Sequence, residues 1–529
     1  MSETYSWWQQ GVLYEIYPRS FQDTNGDGIG DIAGIRRRLD YLRWLGVTAI
    51  WLTPFYRSPM KDYGYDVADY CDVDPSFGSM ADIEGLIADA HAAGLRVVFD
   101  FVPNHTSDQH EWFLESKASR DNPRRGWYIW RDPAPGGGPP NNWLSNIGLS
   151  AWTLDETTGQ YYYHAFLKEQ PDLNWRNPEV QEAMFNALRF WLDKGVDGFR
   201  IDVIWQLIKD DEFRDNPLNP EYIDDLPPHR RHLATYNTDR PEVHDIIARM
   251  REVIDEYEDR MIVGEIYLPL ERLVTYYGAS GSNEVHLPFN FQLLSAPWNA
   301  TSIANLVNQY EASLPATGWP NWVLGNHDKP RIATRVGVNS ARLAAMLLLT
   351  LRGTPTLYYG DELGMIDVAI PPDRVRDTFE LDSPGFRLGR DGERTPMQWS
   401  AAENAGFSRH EPWLPVAPDY KAVNVEALTK DPHSILALHR LLLEMRQKEP
   451  AVAVGAYRFV HADDQVFVYE REHDGRRLLI ALNFSDAEID VALSSGEGGR
   501  VLISTAMDRN GDAVEERVVL RGYEGVVVG

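Results

Sequence analysis

Arg200 and Asp202 stand two positions apart in the apolar run 198–203. Side chains alternate across a strand, so this spacing puts the guanidinium beside the carboxylate and favours its ionised form. An ionised, oriented carboxylate is a nucleophile. Taken alone, the pair reads equally well as a buried structural ion pair. Three more apolar runs, 97–100, 262–265 and 323–328, end in Asp100, Glu265 and Asp328. Acids delivered to the C-terminal ends of several strands are what a (β/α)8 barrel needs to build a site on one face.

The elements that must position these acids follow a repeating order of amphipathic helix, glycine and buried strand. Residues 35–45 lead through Gly46 to 48–52, residues 82–93 through Gly94 to 96–99, and residues 180–194 through Gly195 to 198–201. A glycine fits the position just past a helix, and near-continuous apolar runs suit parallel strands covered on both faces. Further strands are expected at 12–17, 261–266, 284–291, 322–328 and 354–361, giving eight in an α/β fold.

The rhythm breaks between the third strand and the next helix. Residues 104–177 are too long for a βα loop, rich in Trp and Tyr, and carry the Pro/Gly turn 133–140. An inserted domain is expected there. The barrel then comprises 1–103 and 178–450, with a long proline-rich loop at about 362–421 lying over its mouth. Beyond 450, short alternating runs such as 465–470 and 478–482 predict a terminal antiparallel β-domain, 451–529.

Of 529 residues, 43% are hydrophobic, which is ample for a large core. Acids outnumber bases 79 to 51, for a formal charge of -28. That charge argues against nucleic acid or an anionic membrane as partner and for a small neutral or cationic molecule. The single cysteine, Cys71, allows no intramolecular disulfide and suits a reducing compartment. Residues 1–6 lack a basic signal region and no stretch approaches about eighteen uninterrupted apolar residues, so a cytoplasmic location is expected.

In residues 23–31 Asp23, Asn25, Asp27 and Asp31 place side-chain oxygens at alternate positions, Ile29 excepted, with Gly26, Gly28 and Gly30 between them. The pattern matches the first half of an EF-hand loop but lacks its bidentate glutamate. It reads either as a site for a hard cation, Ca²⁺ or Mg²⁺, or as a turn in which Asn and Asp side chains bond their own backbone.

Six stretches, in order along almost the whole chain, carry a family resemblance: 100–105 (DFVPNH), 170–174 (QPDLN), 198–203 (GFRIDV), 264–266 (GEI), 325–328 (GNHD) and 353–362 (GTPTLYYGDE). With them the chain resembles the α-amylase superfamily, glycoside hydrolase family 13, and within it the oligo-1,6-glucosidase and bacterial α-glucosidase group. The resemblance implies Asp202 as nucleophile, Glu265 as general acid/base and Asp328 as the acid that stabilises an oxocarbenium-like transition state. Retention at the anomeric carbon needs two such carboxyl groups about 5 Å apart. Arg200 is then expected to keep Asp202 charged, while Glu265 must hold a proton near neutral pH.

The resemblance further implies that His105 and His327 donate to sugar hydroxyls, that Asp62 grips the non-reducing end, and that Tyr65 stacks on the ring. Arg394 resembles an arginine that pairs with Asp62, and Phe166 is expected to wall the same pocket. A pocket closed in this way makes an exo-acting enzyme for short oligosaccharides. Val203, after the nucleophile, points to α-1,6 linkages, with α-1,4 also open, and transglucosylation is expected beside hydrolysis. Asp23, Asn25, Asp27, the carbonyl of Ile29 and Asp31 match the group's loop for a structural Ca²⁺ or Mg²⁺; no organic cofactor is implied.

Two other readings stand beside this one. The first is a glucosyl isomerase or transglycosylase on the same scaffold, such as a sucrose isomerase, whose Arg/Asp-rich loop is not evident in 329–334. The second is a non-catalytic, sugar-binding amylase-like module, a class that typically loses one of the acids. Oligomeric state leaves no mark in the sequence.

Overall fold

The computed structural model describes residues 5–278, 281, 283–492 and 498–529. One parallel sheet contains β1 (Leu13–Ile16), β2 (Ala49–Leu52), β3 (Arg96–Phe101), β4 (Gly198–Ile201), β5 (Met261–Gly264), β6 (Leu287–Pro288), β7 (Asn321–Val323) and β8 (Thr354–Tyr358). Their order is β6-β5-β4-β3-β2-β1-β8-β7. No backbone ladder joins β6 to β7, and a side chain closes the ring instead. Asn321 donates from Nδ2 to the carbonyl of Pro288, and its Oδ1 accepts from the N–H of Asn290 at 3.1 Å. The result is the (β/α)8 barrel that the helix–glycine–strand order predicts.

The barrel strands are apolar because both faces are covered. Leu13, Ala49, Trp51, Val98, Met261, Val263, Leu287 and Val323 pack together in one cluster. The alternate residues, among them Ile16, Ile50, Leu52, Phe99, Phe199, Ile201 and Ile262, belong to the cluster that includes the helices. Charged side chains break the first set near its C-terminal end: Glu15, Asp100 and Arg200 are all buried.

The helix before β4 shows how the sequence aims that strand. Asn177 caps Pro178–Asp193 by accepting from the N–H of Glu179, with Pro178 in the first turn where no amide donor is needed. Val180, Met184, Leu188, Trp191 and Leu192 form its buried stripe. Gly195 then turns the chain with φ 95°. A residue with a Cβ would meet steric cost in that left-handed region.

The strands are shorter than the apolar runs suggest. The run expected at 284–291 pairs only over Leu287–Pro288, and that at 322–328 contributes Asn321–Val323. Asp202, Glu265 and Asp328 sit just past the last ladder residues of their strands, Asp202 and Asp328 in turns, rather than in the strands themselves.

Within 104–177 a three-stranded antiparallel sheet joins Trp130–Arg131, Gln160–Tyr163 and Trp152–Asp155. Asp172 and Lys209 tie this region to the loop after β4 by a buried ion pair of 2.5 Å. C-terminal to the barrel, Ala456–Ala462, Val466–His473, Arg476–Asn483, Gly499–Ser504 and Gly525–Val528 build an antiparallel sheet. It is held to helix Val338–Thr350 by Arg471 Nη1 on the carbonyl of Thr350 at 2.6 Å. Among the described residues no helix is long and apolar enough to cross a membrane.

Candidate active site

Strand register assembles the centre of the site. Asp100 on β3 is aligned with Arg200 on β4, and Arg200 with Val263 on β5. Past the ladder, the N–H of Asp202 donates to the carbonyl of Phe101 at 2.8 Å and that of Glu265 to the carbonyl of Ile201 at 2.9 Å. One fully buried guanidinium therefore meets three carboxyl groups. Arg200 Nη1 lies 2.8 Å from Asp100 Oδ1 and 2.7 Å from Asp202 Oδ1, and Nη2 lies 2.7 Å from Glu265 Oε2.

One positive charge cannot hold three buried carboxylates ionised. Burial pushes Asp100 up to about 7 despite Arg200. Burial also pushes Asp202 well above the usual carboxylate range, reinforced by the neighbouring Glu265. This corrects the expectation that Arg200 keeps Asp202 charged. The guanidinium is shared among three carboxyl groups, so its charge does not offset the burial of Asp202.

Val203 sits at φ 37°, ψ 44°, a left-handed conformation that is strained for a β-branched residue. The turn directs its N–H to Glu265 Oε2 at 2.9 Å. The residue after the expected nucleophile thereby orients the expected acid.

Asp328 has different surroundings. Its Oδ1 lies 2.9 Å from Arg394 Nη2 and 3.1 Å from Arg390 Nη1, and His327 Nε2 is 3.5 Å from Oδ2. Burial opposes ionisation, but the guanidinium groups of Arg390 and Arg394, with that of Arg200, outweigh it and hold the carboxyl below its ordinary range. Asp328 is the permanent anion of the site.

The expected partner of Asp62 is a second correction. Arg394 donates from Nε to the carbonyl of His327 at 2.7 Å and pairs with Asp328, behind the pocket wall. The residue that reaches Asp62 is Arg390, 2.8 Å from Oδ1, and it also holds Asp377 at 2.9 Å. Gln170 Nε2 donates to the other oxygen of Asp62 at 3.1 Å. A carboxylate and an arginine still close one end of the pocket. The arginine is four residues earlier: a turn at 391–394 separates the two, and Arg394 is fully buried.

The cavity between these groups measures about 430 Å³. Asp62, Tyr65, His105, Phe166, Asp202, Val203, Glu265 and Asp328 line it, as do Arg390, Glu393, Trp205 and Tyr267. Arg200, His327 and Arg394 do not line it and act from behind. Tyr65 stacks on the His327 ring (5.4 Å, 13°), and its hydroxyl donates to Asp100 Oδ2 at 2.9 Å. His327 engages Glu15 through Nδ1 and the Tyr65 hydroxyl through Nε2 at 2.7 Å. Burial pushes His105 down to about 4 and His327 well below the ordinary histidine range, so both rings are neutral. His105 Nε2 lies 3.1 Å from the carbonyl of Tyr65.

Residue types and order left Arg390, Asp100, Tyr267 and Trp205 unassigned. Asp100 was visible as an acid that ends an apolar run, as the others do, but its residue type and position gave it no role of its own. Arg390 lies in an irregular loop and had no such signal.

The 23–31 loop stands apart from this cavity. Asp23 accepts from the N–H groups of Gly26 at 2.7 Å and Gly28 at 2.9 Å, Asp27 from Ile29 at 2.8 Å, and Asp31 caps the next helix at Gly34, 2.7 Å. Asn25 Oδ1 accepts from the N–H of Asp27 at 2.9 Å. Among the described residues no group of three or more His, Cys, Asp or Glu converges as a metal ion requires. These side-chain-to-backbone bonds shape the loop and are compatible with both readings that its spacing permits.

Comparison with known proteins agrees with this architecture. The model of the α-amylase catalytic domain matches residues 15–455, and that of the maltogenic amylase C-terminal domain matches 457–524. An oligo-1,6-glucosidase of Parageobacillus thermoglucosidasius is 40% identical over 522 residues, covering 91% of each chain. A probable alpha-glucosidase of Rhizobium meliloti is 43% identical, covering 91% of this chain and 90% of that one. Among solved structures, an alpha-glucosyl transfer enzyme, XgtA, superposes with a TM-score of 0.94 at 40% identity over 99% of both chains. The trehalulose synthase MutB of Pseudomonas mesoacidophila gives 0.90 at 35% identity, over 99% of this chain and 100% of that one.

Proposed function

The chain belongs to the α-amylase family of glycoside hydrolases, and on that footing we propose that it is an exo-acting, retaining α-glucosidase. It removes single glucose units from the non-reducing end of short α-glucosides, isomaltose-type α-1,6 links favoured and α-1,4 links accepted. One observation carries the proposal: Asp202 and Glu265 meet on a single guanidinium in a pocket that Asp62 and Arg390 close. Carboxyl oxygens each 2.7 Å from one arginine's Nη atoms are drawn together, which suits direct attack rather than the about 6.5–9.5 Å that an inverting pair leaves for water.

In the mechanism the non-reducing glucose enters until its hydroxyls meet Asp62 and Arg390, which fixes the anomeric carbon over Asp202. Glu265, whose position is set by Arg200 and the Val203 N–H, supplies the proton for the leaving group. Glu265 protonates the glycosidic oxygen as Asp202 attacks. Asp328, kept ionised by its two arginines, stabilises positive charge developing on the ring. Water activated by Glu265 then hydrolyses the glucosyl–Asp202 bond. A sugar hydroxyl in place of water gives transglucosylation, a reading supported by the likeness to the alpha-glucosyl transfer enzyme and the trehalulose synthase. Short oligosaccharides are the proposed substrates and the cytoplasm the proposed location, the latter supported by the lone Cys71.

We also propose a structural Ca²⁺ or Mg²⁺ at Asp23, Asn25, Asp27, the Ile29 carbonyl and Asp31, supported by residue spacing. EDTA should then lower Tm and added Ca²⁺ restore it; a Tm indifferent to both rejects the ion.

The function is tested by initial rates of glucose release from isomaltose and maltose, with Asp202→Asn as the blank. Faster isomaltose cleavage supports the α-1,6 preference, and equal or faster maltose cleavage replaces it with an α-1,4 or broad one. No release from either rejects the glucosidase reading.

A further inference from the structure

The acids at the floor of the pocket each contact an arginine, Arg200 or Arg390, whereas the mouth carries cations without carboxylate partners among the described residues. Asp62 and Asp328 are paired with Arg390, and Asp202 and Glu265 with Arg200. Arg230, Lys329 and Arg387 line the same cavity, are exposed, and form no ion pair among the described residues. Lys329 follows Asp328 directly and stands over the Tyr267 ring at 5.5 Å. His229, beside Arg230, is pushed down to about 4 by burial and by the nearby positive Arg230 and Lys329, and its Nδ1 is buried without a hydrogen-bond partner.

Two segments fix Arg230 and Arg387 around the opening. The turn Pro228–Arg231 packs on Gly148 of the inserted region so closely that a Cβ there would lie 2.7 Å from Pro228 Cβ. The loop after β8 is anchored to that region by Ser383 Oγ on the carbonyl of Ile147 at 2.6 Å, and to the barrel by Thr378 Oγ1 on the carbonyl of Lys61, also 2.6 Å. With the non-reducing glucose at the Asp62–Arg390 end, the leaving group projects towards this cationic mouth.

We propose that the leaving-group side of the pocket recognises an anion, a phosphate monoester or a carboxylate carried by the aglycone, through Arg230, Lys329 and Arg387. The inference rests on the α-glucosidase reading and narrows its substrate class. The formal charge of -28 does not oppose it, because charges beyond about 8 Å are largely screened at physiological ionic strength. A phosphate brings about 1.5 to 2 negative charges and three acceptor oxygens to donors held in place.

The test compares kcat/KM within pairs that differ only in the anion: trehalose 6-phosphate against trehalose, and α-glucosylglycerate against α-glucosylglycerol. At least one anionic member should be preferred by about tenfold or more, the scale of one or more charge-assisted contacts. The first pair reports a phosphate, the second a carboxylate. In the triple variant Arg230→Gln, Lys329→Gln, Arg387→Gln the ratio should fall towards one. Turnover of 4-nitrophenyl α-glucoside tests the glucosidase reading by itself. With that turnover present, ratios at or below one in both pairs, no turnover of any pair member, or a ratio unmoved by the triple variant overturns the anion site.

Discussion

Arg390 and Asp62 meet at 2.8 Å across the closed end of the pocket although 328 residues separate them in the chain. Arg390 spans Asp62, Asp328 and Asp377 at once, with the Phe379 ring 3.9 Å beneath its guanidinium. It thereby links the residue expected to hold the substrate's end to the one expected to stabilise the transition state.

A lysine cannot reproduce that three-way fork. Arg390→Lys should leave Asp62 without its cation and lower kcat/KM on isomaltose by about 10²-fold or more, since an unpaired buried charge costs about 3–5 kcal/mol. Steady-state kinetics on the purified variant decide it. A loss within twofold would remove Arg390 from substrate recognition.

Glu265→Gln should slow natural disaccharides far more than activated glucosides, because general acid catalysis contributes about 10²–10⁴-fold and a nitrophenolate leaves without it. The comparison is isomaltose against 4-nitrophenyl α-glucoside under identical conditions. Equal losses on both would take the acid role from Glu265.

Glu393 lines the pocket with its carboxyl pushed up to about 8 by burial and by Asp367. A carboxyl raised on folding keeps its proton where the unfolded chain has lost it, so its effect is to lower stability as pH rises from about 4.3, the unperturbed glutamate value, towards the folded value. Glu393→Gln removes that dependence. The difference in Tm between variant and wild type should shift in the variant's favour from pH 5 to pH 9; parallel curves would contradict the raised carboxyl.

Asn321 stands in for the missing backbone ladder between β6 and β7. Asn321→Leu retains the size but leaves the Pro288 carbonyl and the Asn290 N–H without their partner, at a cost of about 1–3 kcal/mol. A urea denaturation midpoint equal to wild type would show that the closure is made elsewhere.

The barrel was legible because its signals are short-range. Residues 180–192 bury one helical stripe, a glycine turns the chain, and an apolar strand follows; each step depends on neighbours within a few residues. The acids were legible for the same reason, as each terminates such a run. Strand ends were less so, because an apolar run marks burial and does not reveal where the last ladder bond falls.

Pairing between distant loops was decided only by the tertiary structure. Arg390 and Arg394 are alike in type and close in sequence, yet one faces Asp62 and the other lies behind Asp328. Their sorting depends on the path of a long irregular loop, which no periodicity encodes. Proton placement followed the same rule. Arg200 and Asp202 do pair as their spacing implies, but Arg200 also meets Asp100 and Glu265 from neighbouring strands. Local spacing placed the carboxylate, and long-range packing decided how much of one positive charge it could claim.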